Sequence, residues 1–144
     1  MEPNRVTATI LHAAMKVHSA LGPGLMESAY QACLHHELTR MGLQVQAGCL
    51  LPINYDGVTI DVGYRLDLLV EDLVVVELKA VEKVLRLHEA QILTYLKLSQ
   101  RPIGLLINFH VPRLRTGIKR FVNNAVPGID IKTSSSANPS VSPR

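Results

Sequence analysis

The stretch of residues 65–80, RLDLLVEDLVVVELKA, decides the fold of this chain. Two apolar runs rich in Leu and Val flank the charged pair at 71–72, a pattern that predicts the two strands of an antiparallel hairpin. The second run, 73–80, is apolar except at Glu77 and Lys79, as expected for a strand that is buried on both faces. We therefore expect residues 73–80 to form a central strand of the sheet.

Three charged residues, Asp67, Glu77 and Lys79, interrupt these otherwise apolar strands. Burying an unpaired charge is costly, so such residues must neutralise one another, bind an ion or reach water. Glu77 and Lys79 are two residues apart and therefore share one face of their strand. Two carboxylates held together form a hard-oxygen site suited to Mg²⁺ or Mn²⁺, beside which a lysine can position an attacking water. The alternative is an ion cluster with a purely structural role.

The turn between the two strands decides whether Asp67 and Glu77 can share a site. A two-residue turn at 71–72 would pair Asp67 with Val76 and leave it on the sheet face opposite to Glu77. A three-residue connection at 71–73, or an equivalent bulge, would instead pair Asp67 with Glu77. The metal-site interpretation requires the second register.

Apolar periodicity outside this hairpin predicts further elements on both sides of it. Helices are expected at residues 5–20, 26–41 and 87–98, strands within 43–62 and at 103–109, and a last helix over 118–122 with Thr116 as its N-cap. A strand, a covering helix and a further strand suggest a crossover unit. The expected fold class is therefore α/β.

Composition limits both the class of protein and the number of domains. The chain has 144 residues, of which 47% are hydrophobic, enough for one core. The two cysteines lack CxxC spacing, and no apolar run approaches the roughly 18 residues of a membrane span. We expect one cytoplasmic domain over residues 1–126, neither a zinc finger nor a disulfide scaffold, followed by a disordered tail at 127–144.

Charge is distributed unevenly along the chain. Residues 1–110 carry 9 Lys and Arg against 11 Asp and Glu, whereas residues 111–144 carry 6 Lys and Arg against 1 Asp. A basic segment on a mildly acidic body indicates a polyanion such as nucleic acid as the partner, although a solvated surface would give the same pattern. The residues expected to contact a phosphate backbone are Arg113, Arg115, Lys119 and Arg120.

The order of these residues resembles the core of the PD-(D/E)xK nucleases. That core has an Asp in a hairpin, continues with a strand that carries Glu-x-Lys, and then has a helix. This chain has the same order in Asp67, the triplet at 77–79 and the helix predicted after it. The family topology is αβββαβ, a mixed central sheet flanked by helices. One departure from the motif is that Leu66, not proline, precedes Asp67, and this proline is often absent in the superfamily. The segment 24–30, GLMESAY, also resembles the motif of the GxxExxY proteins, a bacterial group within that superfamily.

The resemblance implies a role for each residue of the core motif. It makes Asp67, Glu77 and Glu27 metal ligands, with the backbone carbonyl of Leu78 as a further candidate ligand. Lys79 becomes the residue that activates water or stabilises charge. For Glu27, a favourable position at the positive end of a helix dipole is the alternative.

Residues on two predicted helices are expected beside this site. Gln91 and Tyr95 are four apart, share a helix face, and resemble the QxxxY pair of RecB-like nucleases, which lies beside the active site. Tyr30 lies one turn from Glu27, and both substrate contact and core packing are open to it. His88, just before Gln91, is the histidine expected near the site and is a further candidate for substrate contact.

The residues and the resemblance together predict a nuclease that hydrolyses phosphodiester bonds with Mg²⁺ or Mn²⁺, with DNA favoured over RNA as the substrate. The alternative is a catalytically silent nuclease-fold module that acts in binding or regulation of nucleic acid or protein, because a fold does not settle a function. A single small domain would grip a duplex weakly, so a homodimer or a partner protein is expected.

Overall fold

The computed structural model describes residues 1–126. Within them the helices are α1 (Pro3–Leu21), α2 (Glu27–Arg40) and α3 (Arg86–Ser99). The strands are β1 (Val45–Leu50), β2 (Ile53–Tyr55), β3 (Val58–Ile60), β4 (Arg65–Val70), β5 (Val74–Lys79), β6 (Ile103–Asn108) and β7 (Ile118–Val122). None of the helices in this part of the chain is long and apolar enough to cross a membrane. The tail predicted at 127–144 lies outside the described residues.

Five strands form one mixed sheet in the order β1-β4-β5-β6-β7. Neighbouring strands are antiparallel except β5 and β6, which run parallel because α3 forms the crossover between them. The middle strand is β5, as predicted, and its residues Val74, Val75 and Val76 are fully buried. Strands β2 and β3 form a separate hairpin. This mixed sheet with its flanking helices confirms the predicted fold class.

Helices cover both faces of the sheet, and each face has its own apolar core. On one face α1 and α2 pack against residues that include Val76, and on the other α3 packs through Ile92 against Val75. Consecutive residues of a strand point to opposite faces. Glu77 and Lys79 therefore belong to the face that α3 covers.

The hairpin between β4 and β5 has the register that a shared site requires. Leu68 pairs with Val76, so the next position brings Asp67 opposite Glu77. The connection consists of the three residues 71–73. The second of the two predicted registers is therefore the one present.

Contacts outside the turn hold this three-residue connection. Glu71 and Asp72 both have left-handed backbone angles, with φ values of 53° and 56°. The N–H of Glu71 donates to the Gln44 carbonyl oxygen (2.8 Å), and Gln44 N–H donates to the Glu71 carboxylate (2.6 Å). Arg101 forms a salt bridge with Asp72 (2.7 Å). These partners oppose the strain that a left-handed backbone causes in residues other than glycine.

The predicted last helix is wrong. Residues 114–117 form a short 3-10 turn that contains Thr116, and residues 118–122 form β7, which pairs antiparallel with β6. Glycine is needed at position 117 because a Cβ atom there would lie 2.3 Å from the Asn108 carbonyl oxygen. A segment of five residues is too short for a stable helix, and its β-branched and aromatic side chains favour a strand.

Candidate active site

Asp67 and Glu77 face each other across β4 and β5, and each carboxylate accepts a backbone hydrogen bond from the opposite strand. The N–H of Asp67 donates to Glu77 Oε2 (2.9 Å), and the N–H of Leu78 donates to Asp67 Oδ2 (2.8 Å). From α2, Gln31 Nε2 donates to the carbonyl oxygen of Asp67 (3.1 Å). The two carboxylates are therefore held in place by the sheet itself.

Burial and mutual repulsion oppose the ionisation of this pair. Glu77 is only 8% exposed, and burial, reinforced by the negative charge of Asp67, raises its pKa to about 8. Burial also raises the pKa of Asp67, although the hydrogen bond from Leu78 N–H acts in the opposite direction. Carboxyl groups perturbed by burial and by a specific like charge are typical of functional sites.

Two further charged residues, Lys79 and Glu27, border the carboxylate pair. Lys79 lies two residues after Glu77 on the same strand face, and its ammonium group partly offsets the burial that raises the pKa of both carboxyls. Glu27 is the first residue of α2, and its Oε2 accepts a hydrogen bond from Ala80 N–H (3.3 Å). Its charge contributes to the raised pKa of Asp67. Four charged residues are thus brought together at one end of β5.

On α3, Tyr95 is within electrostatic range of the carboxylates. Burial raises the pKa of Tyr95, and the negative charges of Glu77 and Asp67 add to the effect. The Tyr95 ring lies 6.1 Å from the ring of Tyr64, which is half exposed just before β4. Gln91 is partly buried one turn earlier on α3. No pattern in the sequence indicated that Tyr64 would lie near Tyr95.

At the start of α3, His88 bonds to the backbone of its own helix. Its Nδ1 accepts a hydrogen bond from Leu85 N–H (3.0 Å), as in a capping box. The His88 ring therefore caps the N-terminus of α3. Tyr95, the α3 residue whose pKa the two carboxylates affect, lies two turns further along.

Tyr30 packs in the core through its ring and contacts the loop before α2 through its hydroxyl. Its side chain is fully buried and stacks on Phe109, with ring centroids 4.4 Å apart. Its hydroxyl donates to the Gly22 carbonyl oxygen (2.6 Å) and accepts from Leu25 N–H (3.1 Å). Of the two predicted alternatives, core packing is the one that fits this burial. The Tyr30 hydroxyl thus holds the loop that leads into α2.

Two polar residues that support the site were not predicted from the sequence. Gln31 lies one turn after Glu27 on α2, and this spacing of four was the available signal. Asn108 is 3% exposed at the end of β6. Its side chain accepts from Val81 N–H (3.1 Å) and donates to the Val81 carbonyl oxygen (2.8 Å), which fixes the chain just after β5. The signal for Asn108 was a polar residue within an apolar run.

Lys119 and Arg120 do not lie on the predicted last helix. They are consecutive residues of β7 and point to opposite faces of the sheet. Lys119 pairs with Glu89 of α3. Arg120 is only 7% exposed and donates to Asn4 Oδ1 of α1. The burial of Arg120 removes it from the surface that a nucleic acid can reach.

Arg113 and Arg115, in contrast, are exposed in the connection between β6 and β7. This connection starts at the end of β6, where Asn108 pairs with Lys79 in the parallel register. The two arginines are therefore in a segment that begins at the same end of the sheet as the carboxylate pair.

The donor atoms fit a hard divalent cation. Asp67 and Glu77 present two carboxylates on one sheet face, and Glu27 approaches them from α2. Within residues 1–126 no three His, Cys, Asp or Glu side chains form a ready-made metal cage. Mg²⁺ commonly binds through one or two carboxylates, keeps several waters and takes further oxygen ligands from a phosphate substrate. A pair of carboxylates is sufficient for that mode of binding.

Comparison with known proteins gives one match. A family model described as the PD-(D/E)XK nuclease superfamily matches residues 4–121, which include the whole carboxylate hairpin and all three α-helices apart from the first residue of α1. No curated protein and no solved structure matches the chain significantly.

Proposed function

The chain belongs to the PD-(D/E)XK nuclease superfamily, and on this premise we propose that it is a nuclease that hydrolyses phosphodiester bonds with Mg²⁺ or Mn²⁺. The observation that carries the proposal is the pairing of the Asp67 and Glu77 carboxylates on one face of the sheet. Lys79 lies next to them on the same face. The Asp, the Glu and the Lys of the family motif are therefore together in space.

Asp67 and Glu77 would hold the divalent ion, with Glu27 and the Leu78 carbonyl as further ligands. When bound, the ion supplies Lewis-acid polarisation of the scissile phosphate and lowers the pKa of a coordinated water. Both carboxyl groups must lose their protons to act as ligands. Because the pKa of Glu77 is raised to about 8, protons compete with the cation at neutral pH.

Lys79 and the α3 residues have roles toward the substrate. The ammonium group of Lys79 orients the attacking water or offsets the negative charge that develops on the phosphoryl oxygens. Tyr95, beside the carboxylates, and Gln91, one turn before it, hold the substrate strand against the site. Arg113 and Arg115 contact phosphates along the same strand.

The chain is further assigned to the bacterial GxxExxY group. Each letter of the motif has a physical role that supports this assignment. Gly24 has φ of 107°, a backbone conformation that favours glycine. Glu27 accepts a hydrogen bond from Ala80 N–H at the end of β5, and the Tyr30 hydroxyl holds the loop between α1 and α2.

The remaining elements of the proposal concern substrate and assembly. Residues 1–126 act as one cytoplasmic domain on DNA rather than RNA. A second copy of the chain or a partner protein supplies further nucleic-acid-binding surface, because a chain of 144 residues offers little surface to a duplex.

A catalytically silent binding module is the second candidate. The observation that favours it is that both carboxylates already accept backbone hydrogen bonds, which would support the hairpin without any metal. In that case a divalent ion would change neither stability nor nucleic-acid binding.

A cleavage assay with a matched lysine control separates the two candidates. Purified protein is incubated with labelled single- and double-stranded DNA and RNA in Mg²⁺, in Mn²⁺ or in a chelator. Lys79→Ala removes the proposed catalytic ammonium, whereas Lys83→Ala removes an exposed lysine four residues later. Metal-dependent cleavage by the wild type and Lys83→Ala, but not by Lys79→Ala, supports the nuclease. Binding without cleavage in any of these conditions supports the silent module.

A further inference from the structure

A cavity of about 610 Å³ lies between α1 and the edge strand β7, on the sheet face opposite to Glu77. Its walls are largely apolar and include Leu11 and Met15 of α1, Leu105 of β6 and Ile118 of β7. This space exists because α1 and α2 cover the middle of the sheet and leave the last strand partly uncovered. It is separate from the carboxylate pair and does not depend on the proposed nuclease activity.

The charge in this cavity is positive and is not neutralised by a lining carboxylate. Arg120 and Arg115 line it, and no acidic residue of the described chain does so. The charge of Glu2 acts on Arg120, but the two carboxylate oxygens of Glu2 already accept hydrogen bonds from Asn4 and Arg5 N–H at the start of α1. An apolar space with a cationic group is complementary to an amphipathic anion.

Arg120 itself is incompletely satisfied. Its side chain is 7% exposed, one terminal nitrogen donates to Asn4 Oδ1, and the other, Nη1, has no acceptor within residues 1–126. Burial lowers the pKa of this guanidinium. A buried N–H without an acceptor is unfavourable, and a neutral amide is a weaker acceptor for a guanidinium than a carboxylate.

We propose that this cavity binds a small amphipathic carboxylate. The carboxylate replaces the Asn4 amide as the acceptor for Arg120, and the aliphatic part of the ligand lies against Leu105 and Ile118. The planar guanidinium matches a carboxylate in a two-point hydrogen-bonded contact. The Asn4 side chain moves aside when the ligand enters, because Nη1 is shielded from solvent in the ligand-free protein.

Three variants separate the contributions of charge and space. Asn4→Asp supplies Arg120 with a carboxylate of its own at nearly unchanged side-chain volume. Arg120→Met removes the charge and keeps an apolar side chain of similar length. Ala8→Trp fills the cavity from the exposed face of α1 and leaves the Arg120 side chain itself unchanged.

Titration calorimetry and amide NMR shifts with octanoate, octanamide and inorganic phosphate test the proposal on the full chain. We expect saturable binding of one octanoate, with shifts at Thr7 and Ala8, and affinity at least about tenfold weaker for octanamide. Inorganic phosphate should not bind at the same residues. The Asn4→Asp, Arg120→Met and Ala8→Trp variants should each lose octanoate affinity by about tenfold or more.

Two results would overturn the proposal. One is equal affinity for octanoate and octanamide with no loss in Asn4→Asp, which would leave an apolar groove without anion recognition. The other is no saturable octanoate binding by the wild type. If Arg120→Met fails to fold by circular dichroism, Asn4→Asp and Ala8→Trp still decide the result, because neither removes the buried arginine.

Discussion

Glu77 is buried opposite Asp67, and this pairing raises the pKa of Glu77 to about 8 through burial first and the Asp67 charge second. The folded protein therefore retains a proton on Glu77 up to about pH 8, whereas the unfolded chain loses it near its ordinary value of 4.5. A group that binds its proton more tightly in the folded state makes stability fall as pH rises between the two pKa values. The pair is thus a source of instability at neutral pH that a bound cation would relieve.

The first prediction is a pH-dependent loss of stability that depends on Glu77. Between pH 5 and 8 the free energy of unfolding should fall by up to about 1.4 kcal/mol for each pH unit. Glu77→Gln should remove most of this slope and should be more stable than the wild type at pH 8. Glu82→Gln, which changes an exposed glutamate, is the control. Urea denaturation at several pH values gives the slopes, and equal slopes for Glu77→Gln and the wild type would contradict the assignment.

The second prediction concerns stabilisation by Mg²⁺. Because ligand carboxylates must be deprotonated, Mg²⁺ should raise the melting temperature more at pH 8 than at pH 6. Asp67→Asn and Glu77→Gln should abolish the shift, while their metal-free stability is maintained or increased. Thermal melts with Mg²⁺ and with a chelator measure this. A large loss of metal-free stability in both variants, with no Mg²⁺ shift in the wild type, would instead indicate a structural cluster.

The third prediction separates packing from substrate contact at Tyr30. Tyr30→Phe retains the stacking on Phe109 but leaves Gly22 O and Leu25 N–H without their partner, at a cost of about 1–2 kcal/mol. Tyr55→Phe, at a residue 70% exposed on the β2–β3 hairpin, should leave stability unchanged. Chemical denaturation gives both values. Unchanged stability combined with a loss of substrate affinity in Tyr30→Phe would restore the substrate-contact role.

The fourth prediction concerns the exposed arginines. Arg113→Ala with Arg115→Ala should weaken binding to all nucleic-acid sequences and flatten the slope of log affinity against log salt by about one to two units. Lys16→Ala with Arg40→Ala removes two exposed cations that pair with Glu37, and should leave the slope unchanged. Fluorescence anisotropy at several salt concentrations measures the slopes. If both double variants keep the wild-type slope of log affinity against log salt, nucleic acid binds to a surface other than Arg113 and Arg115.

The central strand was predictable because a run of valines interrupted only by Glu77 and Lys79 is typical of a strand buried on both faces. Val74, Val75 and Val76 are fully buried, as that pattern predicts. The turn length, in contrast, could not be chosen from the sequence. It depends on contacts of the turn with Gln44 and Arg101, which are distant along the chain.

The secondary structure of residues 118–122 was predicted wrongly because such a short segment carries little periodic signal. A basic tract after Thr116 was interpreted as a helix, but Phe121 and Lys119 alternate with Arg120 as they do in a strand. The burial of Arg120 against Asn4 joins residues more than a hundred positions apart, and no local pattern indicates it. No local pattern indicates the contact between the Tyr30 ring and Phe109 either.

Whether the Asp67–Glu77 pair is a metal-dependent active site can be measured by the rate of nucleic-acid cleavage as a function of Mg²⁺ concentration in the wild type and in Glu77→Gln. We predict that the wild-type rate rises and saturates with Mg²⁺, that Glu82→Gln follows the same curve, and that Glu77→Gln is slower by at least about 100-fold. Cleavage by Glu77→Gln at the wild-type rate, or undiminished wild-type cleavage in a chelator, would contradict the claim that the Asp67–Glu77 pair is a metal-dependent active site.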